Sequence, residues 1–394
     1  MKQRAITGNK GERIRSDCQV KLQLLKKGGI DIRLLSKVDR MFGEQIRQQA
    51  LEVLEALGVS HATLEIEDTG ALPFVIGARI EAAVKQLQAS ELNWIPPVIE
   101  QNRYESSRER FRFSRLYLPG NSPSMMLNAG IHQPDGVILD LEDSVAPDRK
   151  AEARLLVRNA LCQVDFYGAE RMVRINQLPT GLEDLDEVVP QHLHQVLLPK
   201  CEHGSQVVEV VERIQSILKA HNQKREIFLM PIIESALGVE NAFEIASASD
   251  SVVAMAIGLE DYTADLGVKR TETGGESLYA RTRLVNACKA AGIQAIDSVY
   301  SDVANMDGLK KNVLTSRSLG FEGMGCIHPR QVPVIHQAFV PTEEEIEKAR
   351  RIVEAFEAAE ASGSGVVALG SKMIDPPVVK RAQKILELAS KLKS

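Results

Sequence analysis

The residues that could do chemistry in this chain sit at the ends of apolar runs. The stretch GVILDLEDSV, residues 136–145, opens with Val137, Ile138 and Leu139 and then sets Asp140, Glu142 and Asp143 within four positions. Other runs end in the same way. RMVRINQ brings Arg174 and Asn176, QVLLPK brings Lys200, and IFLMPIIES brings Glu234. VVAMAIGLED brings Glu260 and Asp261, IQAIDSVY brings Asp297, and GMGCIHP brings His328. Carboxylates crowded into one cavity repel each other and partly protonate. A hard divalent cation removes that conflict, and Mg²⁺ takes one or two protein carboxylates while keeping positions for water and substrate oxygens. Glu234 and Asp261 are the best pair for it, because their strands are expected to be neighbours. Asp140 and Glu142 then stand behind the metal or hold Arg174 and Lys200.

The elements that must position these groups follow from the spacing. With RLYLPG at the start, eight short apolar runs alternate with helix-length amphipathic segments. That alternation means a parallel strand sheet with crossover helices. Eight units over roughly 220–250 residues predict a closed (β/α)8 TIM barrel, whose active site lies at the C-terminal ends of the strands. An open doubly wound sheet is the competitor, but neither G-x-G-x-x-G nor G-x-x-x-x-G-K-[ST] is present. Taken singly, each strand-end charge is a candidate helix cap or rim ion pair. Asp143, just before SVAPDRKAEARLLV, fits capping well. Charges repeated at equivalent ends of different strands favour a site.

Ahead of the barrel, residues 1–90 read as a small α+β domain. QVKLQLL, GIDIRLL and ATLEIE are its strands, and LPFVIGARIEAAVKQL resumes helical spacing. A helix from Asp39 to Leu57 carries an apolar stripe of Met41, Ile46, Ala50, Val53, Leu54 and Leu57. Residues 91–111, with Pro96-Pro97, read as a flexible linker. The barrel is assigned to 112–340 and a helical lid segment to 341–394. A free tether of this length would hold the front domain near the barrel at a millimolar effective concentration.

Bulk composition excludes several classes. The 394 residues are 44% hydrophobic and 4% aromatic, with a net charge of −5 and no long basic run. Nucleic acid and anionic lipid are therefore not expected partners. The five scattered cysteines make no C-x-x-C pair and fit a reducing cytoplasm rather than a disulfide framework. No stretch approaches a membrane span, and the N-terminal residues hold no apolar signal core.

In order, RLYLPGN, VILDLEDSV, VRIN, LLPK, PIIESALG, GLEDYTADLG, AIDSVYSD, GFEGMGCIHPRQ and GSKMIDPPVVKRAQ resemble the citrate lyase β-subunit family over residues 112–390. That family also holds malyl-CoA, citramalyl-CoA and β-methylmalyl-CoA lyases. The resemblance implies a Mg²⁺-dependent lyase of acyl thioesters that assembles as a homotrimer or larger. It implies Glu234 and Asp261 as metal ligands and Arg174 as the substrate and enolate ligand. Pro119, Gly120 and Asn121 are implied at the substrate, with Asp140, Glu142 and Lys200 in support. Asp375, after the Gly/Ser stretch 361–365, is implied to reach a neighbouring subunit as acid/base. The front segments KVDRMFGEQIRQQALEVLEALGV and IEDTGALPFVIGARIEAAV resemble the γ-subunit, the acyl carrier of citrate lyase. Such a carrier bears phosphoribosyl-dephospho-CoA on the serine of a Ser-x-Asp pattern. Here that position falls on Arg15, while Ser16, one place on, is the only hydroxyl between Thr7 and Ser36. Two readings stand: an arm on Ser16 served by an acyl-exchange α-subunit, or an armless assembly module on an enzyme using free CoA thioesters. A non-catalytic assembly subunit is the reading from a different class.

Overall fold

The computed structural model describes residues 4–361, 367–369 and 372–392. The front domain is a sheet of β1 (Ala5–Thr7), β2 (Cys18–Leu24), β3 (Ile30–Ser36) and β4 (Ala62–Asp68), in the order β1-β2-β4-β3. Three of these strands were legible; β1, only three residues long, was not. Helix α1 (Asp39–Ala56) buries Ile46, Ala50, Val53 and Leu54 as the stripe requires, but Met41 is 72% exposed. Met41 lies in the first turn of the helix, and its place in the apolar pattern is not a place in the core. Helix α2 (Pro73–Leu87) is buried on almost every side because it serves two cores. Ile76, Ile80, Ala83 and Val84 face the front sheet, while Phe74, Val75, Ala78 and Ala82 join the barrel's outer core.

The barrel closes with eight parallel strands: β5 (Ser114–Pro119), β6 (Gly136–Asp140), β7 (Glu170–Arg174), β8 (Gln195–Leu198), β9 (Phe228–Ile233), β10 (Ala254–Ile257), β11 (Gln294–Asp297) and β12 (Gly323–Cys326). All eight coincide with the apolar runs of the sequence. Side chains alternate between the two faces, as strand geometry demands. Ile138, Met172, Leu197, Met230, Ile232 and Ile296 fill the interior, and Val137, Leu139, Val173 and Val196 pack outward against the helices. Closure comes from β12 and β5, where Met324 pairs with Ser114 and Cys326 with Leu116. The five cysteines are free and buried. Among the described residues no helix is long and apolar enough to cross a membrane.

The expected flexible tether is instead pinned to the barrel. Asn102 is buried and donates through Nδ2 to the carbonyls of Leu161 (3.1 Å) and Val164 (2.8 Å). Trp94 lies flat on Gly77 of α2, where a Cβ would stand 2.0 Å from its ring. Only glycine admits that contact. The polar composition of this segment pointed to solvent, but Asn102 and Arg110 among its polar groups are spent on backbone carbonyls of the barrel. The front domain itself is clamped by Arg158, on the helix Lys150–Gln163, whose Nη1 and Nη2 meet the two Glu81 oxygens of α2 at 3.0 and 2.6 Å. Both side chains are 0% exposed.

After the barrel, the helices Glu343–Ala361 and Pro376–Lys391 follow, with the strand pair Val367–Leu369 and Lys372–Ile374 between them. Most of the Gly/Ser stretch, residues 362–365, lies outside the described residues, as do Gly370 and Ser371 of the GSKMID motif.

Candidate active site

Asp140 is the last residue of β6 and is held on both sides. It accepts the backbone N–H groups of Glu142 (3.0 Å) and Ser144 (3.2 Å), which folds the loop after the strand. It also receives Arg174 in a two-point fork, Nε at 2.7 Å and Nη2 at 2.8 Å. Asp140 and Arg174 are register partners on β6 and β7, so the sheet itself sets this pair. Burial pushes the Asp140 carboxyl up, but the hydrogen bonds and charge of Arg174 outweigh it and leave it below its usual range. Arg174 Nη1 reaches Glu142 at 2.9 Å and the more exposed Asp143 at 3.4 Å.

Lys200, two residues past the end of β8, has a left-handed backbone with φ of 48°. A lysine there is uncommon, and such strain persists where the surroundings over-determine it. The conformation aims the Lys200 N–H at Glu234 Oε2, 2.9 Å away. Its ammonium lies 3.4 Å from Glu142 Oε1 and 3.8 Å from Asp261 Oδ1. Burial works against the Lys200 charge, yet Glu142, Asp143 and Asp261 together raise its pKa.

Glu234 follows β9, and Asp261 lies in the first turn of the short helix Leu259–Asp265 after β10. β9 and β10 are neighbours, as expected. Glu234 rests against Gly258, where a Cβ would come within 2.4 Å of Oε1. That glycine leaves the room the carboxylate occupies. Burial, aided by the charges of Glu142 and Asp261, pushes the Glu234 carboxyl up to about 8. A carboxylate in this state gains most from an added cation.

Asp140, Arg174, Glu234 and Asp261 share a cavity of about 550 Å³ at the C-terminal end of the strands, with Pro119 at its edge. Gly120 donates to the Asp140 carbonyl (2.8 Å), and the Asn121 carbonyl turns toward the front domain, accepting from Arg79 at 3.3 Å. Glu142 and Lys200 stand behind Arg174 and Glu234. Glu260 and Asp297 also line this cavity, but they and other strand-end groups carry partners of their own. Asp297 is taken by Arg281 and Ser316. Asn176 binds Asp184 (2.7 and 2.8 Å), and Glu260 pairs with Arg270 at 2.7 Å. His328 accepts the Arg330 N–H (3.1 Å) in its loop and does not line the cavity. Asp375 caps the helix Pro376–Lys391, accepting the Val378 N–H at 3.2 Å, and is not among the residues lining this chain's cavity. Ser16 sits half-buried on a turn with φ of 56°. Its neighbour Asp17 is buried and forked by Arg79 at 3.0 and 3.0 Å.

Among the cavity residues that sequence did not single out are Arg115 and Tyr117, both inward-facing on β5. The signal was available: in SRLYLP the phase that points Pro119 inward also points in Tyr117 and Arg115. Among the described residues no cluster of three or more His, Cys, Asp or Glu is arranged to hold a metal. A two-carboxylate site completed by water and substrate differs from such a cage.

Residues 114–329 match the family model described as HpcH/HpaI aldolase/citrate lyase. The chain belongs to this family. It is accordingly a carbon–carbon lyase, as its resemblance implied. Residues 3–87 match the model described as malonate decarboxylase delta subunit (MdcD), an acyl carrier family, so barrel and carrier-like domain are fused in one chain. The citrate lyase subunit beta of Haemophilus influenzae is 41% identical over 71% of this chain and 97% of its own length. The mitochondrial citramalyl-CoA lyase of Mus musculus is 32% identical over 79% of this chain and 96% of its own. Among solved structures, CitE from Mycobacterium tuberculosis, in complex with magnesium, acetoacetate and coenzyme A, superposes with a TM-score of 0.61. That match has 31% identity and covers 72% of this chain and all of the other.

Proposed function

We propose that this chain cleaves citryl thioester into oxaloacetate and acetyl thioester. The observation that carries the reading is the convergence of Glu234, Asp261 and a forked Arg174 on one strand-end cavity. The reaction removes the carbinol proton, turns the carbinol into a ketone, and sends the electron pair of the broken C–C bond into the thioester as an enolate. The enolate carbon then takes one proton. Oxygen-only donors and a strained pair of carboxylates fit a hard divalent cation, and Glu234 and Asp261 would hold Mg²⁺. When bound there, it supplies Lewis acidity to the carbinol and to the ketone formed from it. Arg174, fixed by Asp140, offers a preorganised positive charge to the developing enolate oxygen. Its Nη1 is held by Glu142 at 2.9 Å and, more loosely, by the exposed Asp143 at 3.4 Å. Glu142 and Lys200 hold Arg174 and Glu234 in place, and Pro119, Gly120 and Asn121 form the edge over which the thioester enters.

Asp375 supplies the proton to the enolate carbon from a second copy in a homotrimer or larger assembly. Its distance in sequence from the barrel and its absence from the cavity of its own chain support this assignment. Mixed oligomers of Asp375→Asn and Arg174→Ala should regain activity that neither variant has alone; oligomers shown to be mixed but inactive would refute it.

Ser16 carries the phosphoribosyl-dephospho-CoA arm. Support comes from the chain of contacts Asp17–Arg79–Asn121, which ties the Ser16 turn to the loop whose Pro119 edges the cavity. An acyl-exchange α-subunit would then load the arm. The test is turnover by the full chain with Mg²⁺, read as oxaloacetate from citryl-CoA and pyruvate from citramalyl-CoA, alongside intact mass of protein from its native host. Oxaloacetate release and a prosthetic-group mass removed by Ser16→Ala are expected. Pyruvate release without oxaloacetate, at the bare-chain mass, would transfer the assignment to free CoA thioesters. No cleavage of either would leave the assembly role.

A further inference from the structure

Arg115 is the anomaly of the barrel interior. It is 1% exposed, on the inward face of β5. The other buried arginines are all compensated. Arg79 has Asp17 and Glu152, Arg112 has Glu170, Arg158 has Glu81, and Arg281 has Asp297. Arg171 lacks a carboxylate but donates to the carbonyls of His192 and Asn102 and lies over the Tyr104 ring. Arg115 has none of these. Among the described residues no carboxylate pairs with it, Nε has no hydrogen-bond partner, and Nη1 meets only the Met230 sulfur at 2.7 Å. A thioether is a weak acceptor, and a guanidinium cannot shed its charge in a protein to escape the cost.

Its position gives the charge a direction. Counting β5, β6, β7, β8 and β9 around the closed barrel, Met230 stands on the strand opposite Arg115. The side chain therefore spans the interior, and Arg115 also lines the cavity that Arg174 and Glu234 enter from the rim. Register sets the depth. Pro119, Asp140 and Arg174 pair across β5, β6 and β7 at the rim, and Arg115 lies four residues below Pro119. At about 3.3 Å per residue that is roughly 13 Å of strand, much of which an arginine side chain covers when it leans upward. The cavity thus has a cation at its floor as well as at its rim.

We propose that Arg115 reads a carboxylate on the acyl group itself, the carboxymethyl arm that points away from the thioester. This deepens the lyase reading and rests on it. A thioester whose carbinol carbon bears that arm, as in citryl, would place an anion on the cavity floor. One bearing a methyl group there, as in citramalyl, would leave the guanidinium unpaired. Among ketone products the same contact favours oxaloacetate over pyruvate. Arg115 is then a specificity residue and takes no part in bond breaking.

The experiment compares the full-length wild type with Arg115→Met and Arg115→Lys. Binding of oxaloacetate and of pyruvate is measured by calorimetry with Mg²⁺ present, and kcat/KM by cleavage of citryl-CoA and citramalyl-CoA. Truncating one member of a buried charge pair should lower the oxaloacetate-to-pyruvate affinity ratio, and the citryl-to-citramalyl kcat/KM ratio, by on the order of 30-fold in Arg115→Met. The lysine should recover part of both ratios. Removing an uncompensated buried charge should also raise the melting temperature of the ligand-free protein. A purely structural arginine would do the reverse, lowering the melting temperature and both substrates' rates by the same factor, and that result would overturn the proposal. So would unchanged ratios. If the wild type cleaves neither thioester, the lyase reading fails by itself, and the calorimetric ratio still decides whether Arg115 selects a dicarboxylate.

Discussion

Glu234→Gln is expected to lower thioester cleavage on the order of a thousand-fold while leaving the fold intact. Glutamine keeps the shape, and its amide oxygen can still accept the Lys200 N–H that now reaches Glu234 Oε2 at 2.9 Å. The charge alone is lost. Gly258 leaves space for this side chain and for little more, so the amide cannot swing away to recruit another ligand. Magnesium binding measured by calorimetry should fall together with kcat, and circular dichroism should be unchanged. Because burial already pushes the Glu234 carboxyl up to about 8, the neutral amide costs the fold little. Turnover within tenfold of wild type, insensitive to EDTA, would remove Glu234 from the metal and with it the proposed chemistry.

Glu81→Ala should destabilise the junction between the two domains by about 3–5 kcal/mol, the usual consequence of stripping one partner from a buried ion pair. Arg158 would keep Glu187 at 2.8 Å and the Trp94 carbonyl at 2.9 Å, but would lose its two-point partner. Lys85 also leans on Glu81 at 3.0 Å, so a second cation is released. The expected readout is a front-domain transition at lower urea than the barrel, with new protease cuts between residues 88 and 111. Replacing both members, Glu81→Leu with Arg158→Met, should recover most of the loss, since an apolar pair of similar volume needs no compensation. A single-variant loss below about 1 kcal/mol would mean that the apolar face of α2 holds the junction without the ion pair.

The barrel was legible because burial on both faces writes parallel strands as apolar runs, and closure makes every run end on the same rim. Glu234, Asp261, Arg174 and Asp140 could be read from that rule. What it could not tell is which way a strand-end side chain turns. Asp297 lines the cavity, yet Arg281 and Ser316, from helices before and after it, bind its carboxylate. Asn176 is claimed by Asp184 in the same way. Those decisions depend on partners that no local pattern marks. Arg115 was hidden for the opposite reason. A charge one place into a strand resembles a solvated strand entrance until closure of the barrel buries it. The tether misled because polar residues read as solvent-facing, whereas Asn102 spends its amide on two carbonyls.

The clamp between α2 and the helix Lys150–Gln163 bears on how a carrier of this design could be used. A free-standing carrier commutes: it is loaded at one enzyme and unloaded at another, and one copy can serve several. A carrier bolted to its own barrel cannot travel. With the arm on Ser16, as proposed above, loading would have to come to it, and a loading partner would have to leave the face around Ser16 uncovered. Each chain also arrives with one carrier per barrel, a ratio fixed at translation and indifferent to dilution. Throughput would then be limited by how quickly the loading enzyme docks and departs.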